Sequence, residues 1–141
     1  MNNRLEDYSN TGDKQPIKTP EDVVSIVNSR LKNKKKEHFL AILLDTKNKL
    51  IKVSEISISS LDATIVHPRE AFGEVISAST SSVIFVHNHP SGDTEASEDD
   101  IYLTERLAKA GEIMGIDVLD HIIIGNGNNN EYLSLKRQNL F

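Results

Sequence analysis

The 141-residue chain contains no cysteine. Disulfides and thiolate metal sites are therefore excluded, and with them zinc fingers, iron–sulfur clusters and cysteine nucleophiles. Long apolar runs are also absent: the longest, at 39–44 and 83–86, are far shorter than the ~20 residues of a membrane-spanning helix. The first residues lack the apolar core of a secretory signal. We therefore expect a cytoplasmic protein with no membrane partner.

Positive charge is scarce, since 16 basic and 21 acidic residues give a net charge of −5. Proteins that grip nucleic acid by its phosphates are usually basic, so the composition disfavours such a partner without excluding a local patch. The basic run 32–36 suits a helix C-terminus, with a docking patch as the alternative. The three tyrosines are scattered, so they form no stacking platform for single strands.

The first half of the sequence predicts a polar, flexible lead-in over residues 1–18 and a globular domain over 19–141. Thr19 and Pro20 are typical of the start of a helix, which we expect to end near Asn33. Strands are predicted at 37–45 and 49–58, joined by a short turn, and a further short strand at 61–66.

The second half predicts a helix opened by Pro68, a buried strand at 82–87, a loop at 89–96, a helix from Ser97 to Gly115, and strands at 117–124 and 131–135. The predicted apolar faces of the two helices are Ala71, Phe72, Val75 and Ile76, and Leu103, Leu107, Ala110 and Met114. Because two adjacent strands join by a short turn, we predict an α/β fold with a mixed, mainly antiparallel sheet flanked by three helices.

His87 and His89 stand two residues apart at the end of the buried strand. Alternate residues of an extended chain point to the same side, so both imidazoles should face one point beyond the sheet. Asp100 follows in the first turn of the next helix. Two histidines and a carboxylate are a common zinc ligand set that leaves a fourth position for a catalytic water.

Each part of this pattern has a plainer explanation. Two histidines on a strand can simply be core or surface residues, and Ser97 with Asp100 also forms a capping-box pattern. The acidic residues of 93–100 can form a solvated loop; a calcium loop fits less well, because the glycine of an EF-hand turn is missing. Spacing alone therefore leaves metal binding open.

The motif His87-Asn88-His89-Pro90, followed after six residues by Ser97 and after two more by Asp100, resembles the H-x-H-P-x6-S-x2-D pattern of JAMM (MPN/JAB) metalloproteases. The segments 66–70, 86–93 and 120–125 resemble the RadC (UPF0758) branch of that superfamily. The resemblance extends from about residue 20 to the C-terminus. It implies a JAMM/MPN fold of the cytidine deaminase-like type.

The resemblance implies that His87, His89 and Asp100 bind Zn2+. It implies that the Ser97 hydroxyl helps to hold the oxyanion or the zinc water, and that Glu37 is the general base. The alternative for Glu37 is a strand-end charge beside the lysine run. The next candidate base is Glu70, although its place in the first turn of a helix is explained by the helix dipole.

The function implied is that of a zinc-dependent hydrolase acting on a peptide or isopeptide bond of a protein or peptide substrate. The alternative is a RadC-type accessory or interaction protein in DNA metabolism. Thr94 and Ala96 stand where RadC relatives usually carry prolines, and we expect no N-terminal helix-hairpin-helix module, for which residues 1–18 leave no room.

The other three histidines are expected to be structural. We interpret His121 as a core or edge residue, with a supporting role behind the metal ligands as the alternative. His67 belongs to a helix entry, and His38 should point to the sheet face opposite Glu37.

Overall fold

The computed structural model describes residues 15–59, 66–126 and 131–141. Within these ranges it contains three helices and five strands. The helices are α1 (Pro20–Leu31), α2 (Pro68–Ser77) and α3 (Glu98–Met114). The strands are β1 (Glu37–Leu44), β2 (Leu50–Ser59), β3 (Ser82–Asn88), β4 (Asp117–Ile124) and β5 (Tyr132–Ser134).

The helix ends follow local sequence signals. Thr19 caps α1 through a reciprocal box with Asp22, and Pro20 occupies the first turn. Gly115 ends α3 in the left-handed conformation, with φ of 75°. Helix α1 ends at Leu31, two residues before the predicted end, because Lys32 is already extended, with a ψ of 130°, and Asn33 follows in the left-handed region, with a φ of 57°.

The strands form one sheet in the order β2-β1-β3-β4-β5. Strand β1 is antiparallel to β2 and β3, β4 is antiparallel to β5, and β3 and β4 are parallel. Helix α3 makes the crossover between the two parallel strands, as parallel pairing requires. The predicted α/β fold with a mixed, mainly antiparallel sheet is therefore confirmed.

Helices cover both faces of the sheet. On one face, called here the α1 face, Val23 and Val27 pack against Ile84 and Ile122. The opposite face, the α2–α3 face, buries Phe39 and Phe85 under the following helix residues: Ala71, Phe72, Val75 and Leu107. The strands at the centre are buried on both sides, which explains their continuous apolar runs.

Several predicted details are corrected. Ile76 is 58% exposed, because the buried stripe of α2 is centred between Ala71 and Phe72 and Ile76 lies at its edge. Met114, the last residue of α3, is 39% exposed. Two residues before the predicted start of the domain, Ile17 is buried and its N–H donates to the carbonyl of Asn48. The strand predicted at 61–66 lies outside the described residues, apart from Val66.

None of the helices that the structure describes is long and apolar enough to cross a membrane.

Candidate metal centre

His87 lies near the end of β3 with only 3% of its surface exposed. It pairs across the sheet with Phe39 of β1, and the two rings stack with their centroids 5.9 Å apart. The ring of Phe85 contacts that of Phe39 and belongs to the same apolar surface. The imidazole is therefore held on the α2–α3 face, with its orientation limited by packing.

His89 follows β3 and belongs to a tight turn in which its carbonyl accepts from the N–H of Gly92. The turn brings the carbonyl of Asp93 to 2.8 Å from Nδ1 of His89. A carbonyl only accepts hydrogen bonds, so Nδ1 must carry the proton. The neutral His89 ring then has its lone pair on Nε2.

Asp100 is presented by the first turn of α3. Its N–H donates to the hydroxyl of Ser97 at 3.0 Å, and its Oδ2 accepts from the N–H of Ser97 at 2.9 Å. The capping box suggested by the sequence is thus present. It does not compete with a ligand role, because an ionised carboxylate has about four acceptor positions and the box uses one.

The three side chains converge on one point. Nε2 of His87 lies 3.0 Å from Nε2 of His89, and the two nitrogens lie 3.3 Å from Oδ1 and Oδ2 of Asp100, respectively. All three ligand atoms lie within 4.8 Å of one another, so this cluster can hold a metal ion. Nitrogens bound tetrahedrally to zinc at ~2.05 Å would be about 3.3 Å apart, so a small shift accommodates the ion.

The charges of the cluster are coupled. Burial favours the neutral carboxyl of Asp100, but its hydrogen bonds to His87 and His89 outweigh this and hold its pKa well below the usual range. Burial likewise favours neutral His89, but Asp100 and the Asp93 carbonyl outweigh it and raise the pKa of His89. The site stabilises positive charge at the point where the three side chains meet.

Behind His87 lies a buried chain of polar contacts. Nδ1 of His87 is 2.7 Å from Nε2 of His121, and Nδ1 of His121 is 2.5 Å from the hydroxyl of Thr104. That hydroxyl donates to the carbonyl of Asp100 at 2.7 Å. His121 is fully buried, and its burial, reinforced by His87, lowers its pKa well below the usual value. The sequence favours a core or edge position for His121, with a role behind the metal ligands as the alternative; the structure buries it against His87, a candidate ligand.

Glu37 opens β1, two residues before Phe39, and so shares the face that Phe39 and His87 occupy. Extending the antiparallel register of β1 and β3 by two residues from Phe39 and His87 places Glu37 opposite His89. The negative charge of Glu37 contributes to the raised pKa of His89. The structure therefore places Glu37 at the same end of the sheet as the cluster, near enough for its charge to act on His89.

Sequence reasoning missed Asn88, the residue between the two histidines. It is 1% exposed, and its side chain accepts from the N–H of His38 at 2.6 Å and donates to the carbonyl of Lys36 at 3.0 Å. These two backbone groups flank Glu37, so Asn88 fixes the start of β1 against the end of β3. An asparagine within a buried strand was the signal that could have revealed it.

The other candidates lie in structural roles. Oε1 of Glu70 accepts from the N–H of His67 in the cap of α2, which matches the interpretation of His67 as helix entry. The ring of His38 pairs with Glu55 at 2.7 Å. In the part of the chain that the structure describes, the one group of three or more side chains that could hold a metal ion is His87, His89 and Asp100.

The described chain is thus an α/β domain in which a mixed sheet lies between helices and the His-x-His end of a strand faces a helix aspartate. A family model described as the RadC-like JAB domain matches residues 17–140, so the chain belongs to that family.

Curated relatives agree with this assignment. A UPF0758 protein of Desulforamulus reducens is 53% identical over 124 residues, covering 88% of this chain and 53% of the relative. A UPF0758 protein of Methanosarcina mazei is 50% identical over 123 residues, or 87% and 52% of the two chains. One from Caldanaerobacter subterraneus is 46% identical over 133 residues, or 94% and 56%. The chain spans about half the length of these relatives.

Proposed function

We propose that the domain is a zinc-dependent hydrolase that cleaves a peptide or isopeptide bond in a protein or peptide substrate. The carrying observation is the convergence of Nε2 of His87, Nε2 of His89 and the carboxylate of Asp100 on one point. Three basic groups whose nitrogen and oxygen atoms face one another at 3.0–3.3 Å repel unless a proton or a cation lies between them. Zinc suits this donor set, and three protein ligands leave a position for water.

When bound there, zinc would polarise the substrate carbonyl and lower the pKa of a coordinated water towards ~7. Glu37 would accept the proton of the attacking water at its carboxylate and return it to the leaving amine. Its position across from His89 supports this role. Ser97 keeps its hydroxyl proton, because the capping bond uses only an acceptor lone pair. That proton is available to a developing oxyanion.

The residues of this site suit cleavage of an amide bond better than cleavage of a bond whose leaving group needs no proton. An amine leaves only after it gains a proton, and Glu37, at the same end of the sheet as the cluster, is the group that can carry it. A RadC-type accessory role without turnover remains the rival function. The two functions differ in whether purified protein hydrolyses amide and isopeptide substrates.

The test is a measurement of metal content and hydrolysis on the same preparations. Protein purified without added metal should contain about one zinc per chain by elemental analysis, and His87→Ala or His89→Ala should lose it. A panel of amide- and isopeptide-linked substrates should be cleaved by the native protein, but not after chelation. His38→Ala is the matched control, because this histidine pairs with Glu55. A folded native protein that neither contains nor binds zinc would refute the proposal; zinc without turnover would favour the accessory role.

A further inference from the structure

The hydroxyl of Thr104 has a fixed direction. It lies 2.7 Å from the carbonyl of Asp100, which can only accept, so the single hydroxyl proton is directed there. The other neighbour of this hydroxyl, Nδ1 of His121 at 2.5 Å, must then donate. His121 therefore carries its proton on Nδ1.

The position of one proton determines the next. His121 is completely buried, and its ring nitrogens contact the hydroxyl of Thr104 and the ring of His87. A neutral ring with a proton on Nδ1 has its lone pair on Nε2. This lone pair, 2.7 Å from Nδ1 of His87, accepts a proton from it. When the His87 ring is neutral, its Nε2, on the opposite side of the ring, then carries the lone pair and faces Asp100.

We propose that His121 and Thr104 are positioning residues that hold His87 as the Nδ1-protonated tautomer and thereby set the affinity of the metal centre. The inference rests on metal binding by the proposed hydrolase, but not on turnover. The same contacts connect the strand that carries His87 to the helix turn that carries Asp100, because the chain of bonds ends on the Asp100 carbonyl. The candidate ligands His87 on β3 and Asp100 on α3 are thus linked by hydrogen bonds on the side away from the proposed metal position.

Without this chain of bonds, the competing tautomer would be favoured. A proton on Nε2 of His87 would point at Oδ1 of Asp100, 3.3 Å away, and that hydrogen bond to a carboxylate would stabilise it. Zinc would have to displace this proton before binding. A hydrogen bond to the far nitrogen of a ligand histidine typically changes metal affinity 10–100-fold. His89 has its own orienting partner, the Asp93 carbonyl, so the two ligand rings are fixed independently.

The test uses zinc affinity, measured by competition with a chromophoric chelator. Thr104→Val keeps the side-chain shape but removes the hydroxyl, and it should weaken zinc binding about 10–100-fold. Thr104→Ser should restore most of the affinity. The matched control is Thr80→Val, because Thr80 is also buried and its hydroxyl has no hydrogen-bond partner among the described residues. If Thr104→Val does not fold, Thr104→Ala removes the same hydroxyl.

A spectroscopic measurement separates tautomer control from general loosening. In the zinc-free full chain at alkaline pH, ring 15N shifts should show His87 protonated on Nδ1, and Thr104→Val should move its proton towards Nε2. Unchanged affinity and tautomer in Thr104→Val would overturn the inference while leaving the metal centre intact. A native protein that binds no zinc would instead overturn the proposed function, and the NMR experiment would still test the tautomer.

Discussion

Asp120 and His121 are adjacent on β4, yet their side chains lie on opposite faces of the sheet. On the α1 face, Asp120 accepts from the N–H groups of His121 and Lys136 at 2.7 and 3.1 Å and from the hydroxyl of Ser134 at 2.6 Å. On the α2–α3 face, His121 contacts His87 and Thr104. The hydrogen bonds of Asp120 hold two backbone N–H groups and Ser134, and so fix the C-terminal segment. The contacts of His121 lead instead to a cluster that can bind a cation.

The two capping boxes repeat this contrast. Thr19 and Asp22 close the start of α1, and Ser97 and Asp100 close the start of α3 with the same reciprocal bonds. Asp100 also faces His87 and His89. The capping box therefore has only a structural role at the start of α1, whereas at the start of α3 it also presents a candidate ligand.

The largest expected effect on the α2–α3 face is that of Glu37→Gln. The amide cannot accept the water proton, so turnover should fall by ~10²–10⁴-fold while zinc content and thermal stability remain close to native. Single-turnover hydrolysis and elemental analysis on the same sample measure both. The control is Glu70→Gln, since Glu70 caps α2. Equal turnover losses in both variants would remove Glu37 from the mechanism.

Ser97→Ala is expected to have the next largest effect, and Thr19→Ala is its structural counterpart. Each variant loses a helix cap, which should cost about 1 kcal/mol of unfolding free energy. Only Ser97→Ala should also lose an oxyanion donor, worth ~10²–10³ in turnover. Because the cap steadies Asp100, a modest fall in zinc affinity should accompany it. If both variants lose stability alone, the hydroxyl of Ser97 is only a cap.

Local signals were predictable from the sequence, and long-range contacts were not. Thr19, Pro20 and Gly115 act within one helical turn, so their patterns predicted helix ends correctly. The alternation of His87 and His89 likewise predicted their shared direction. The contact of His121 with His87 joins residues 34 positions apart, and it depends on the parallel pairing of β3 with β4. The pattern around residue 121 leaves a role behind the metal ligands open, but it does not identify His87 as the partner.

Asp120→Ala tests whether the α1 face is independent of the metal centre. It leaves two backbone N–H groups and a hydroxyl without their acceptor, and one such unsatisfied buried group costs about 1–3 kcal/mol. Denaturant unfolding should show the loss, whereas zinc affinity should change far less than in Thr104→Val. Asp117→Ala, at the exposed start of the same strand, is the control. A loss of zinc affinity as large as that of Thr104→Val would mean that the two faces are coupled.

The smallest expected effect concerns the exposed pair of Glu21 and Arg137, which joins α1 to the C-terminal segment at 2.8 and 3.2 Å. The bond to Arg137 lowers the pKa of Glu21 from 4.5 to about 2. A carboxyl with a depressed folded pKa stabilises the fold above its unfolded pKa, and this contribution disappears as the pH falls through the folded value. Glu21→Gln should therefore lower the Tm slightly at neutral pH, and this difference should disappear as the pH falls below about 2; high salt should reduce it as well. A Tm difference that persists at low pH would show that the Glu21 side chain contributes through packing rather than charge.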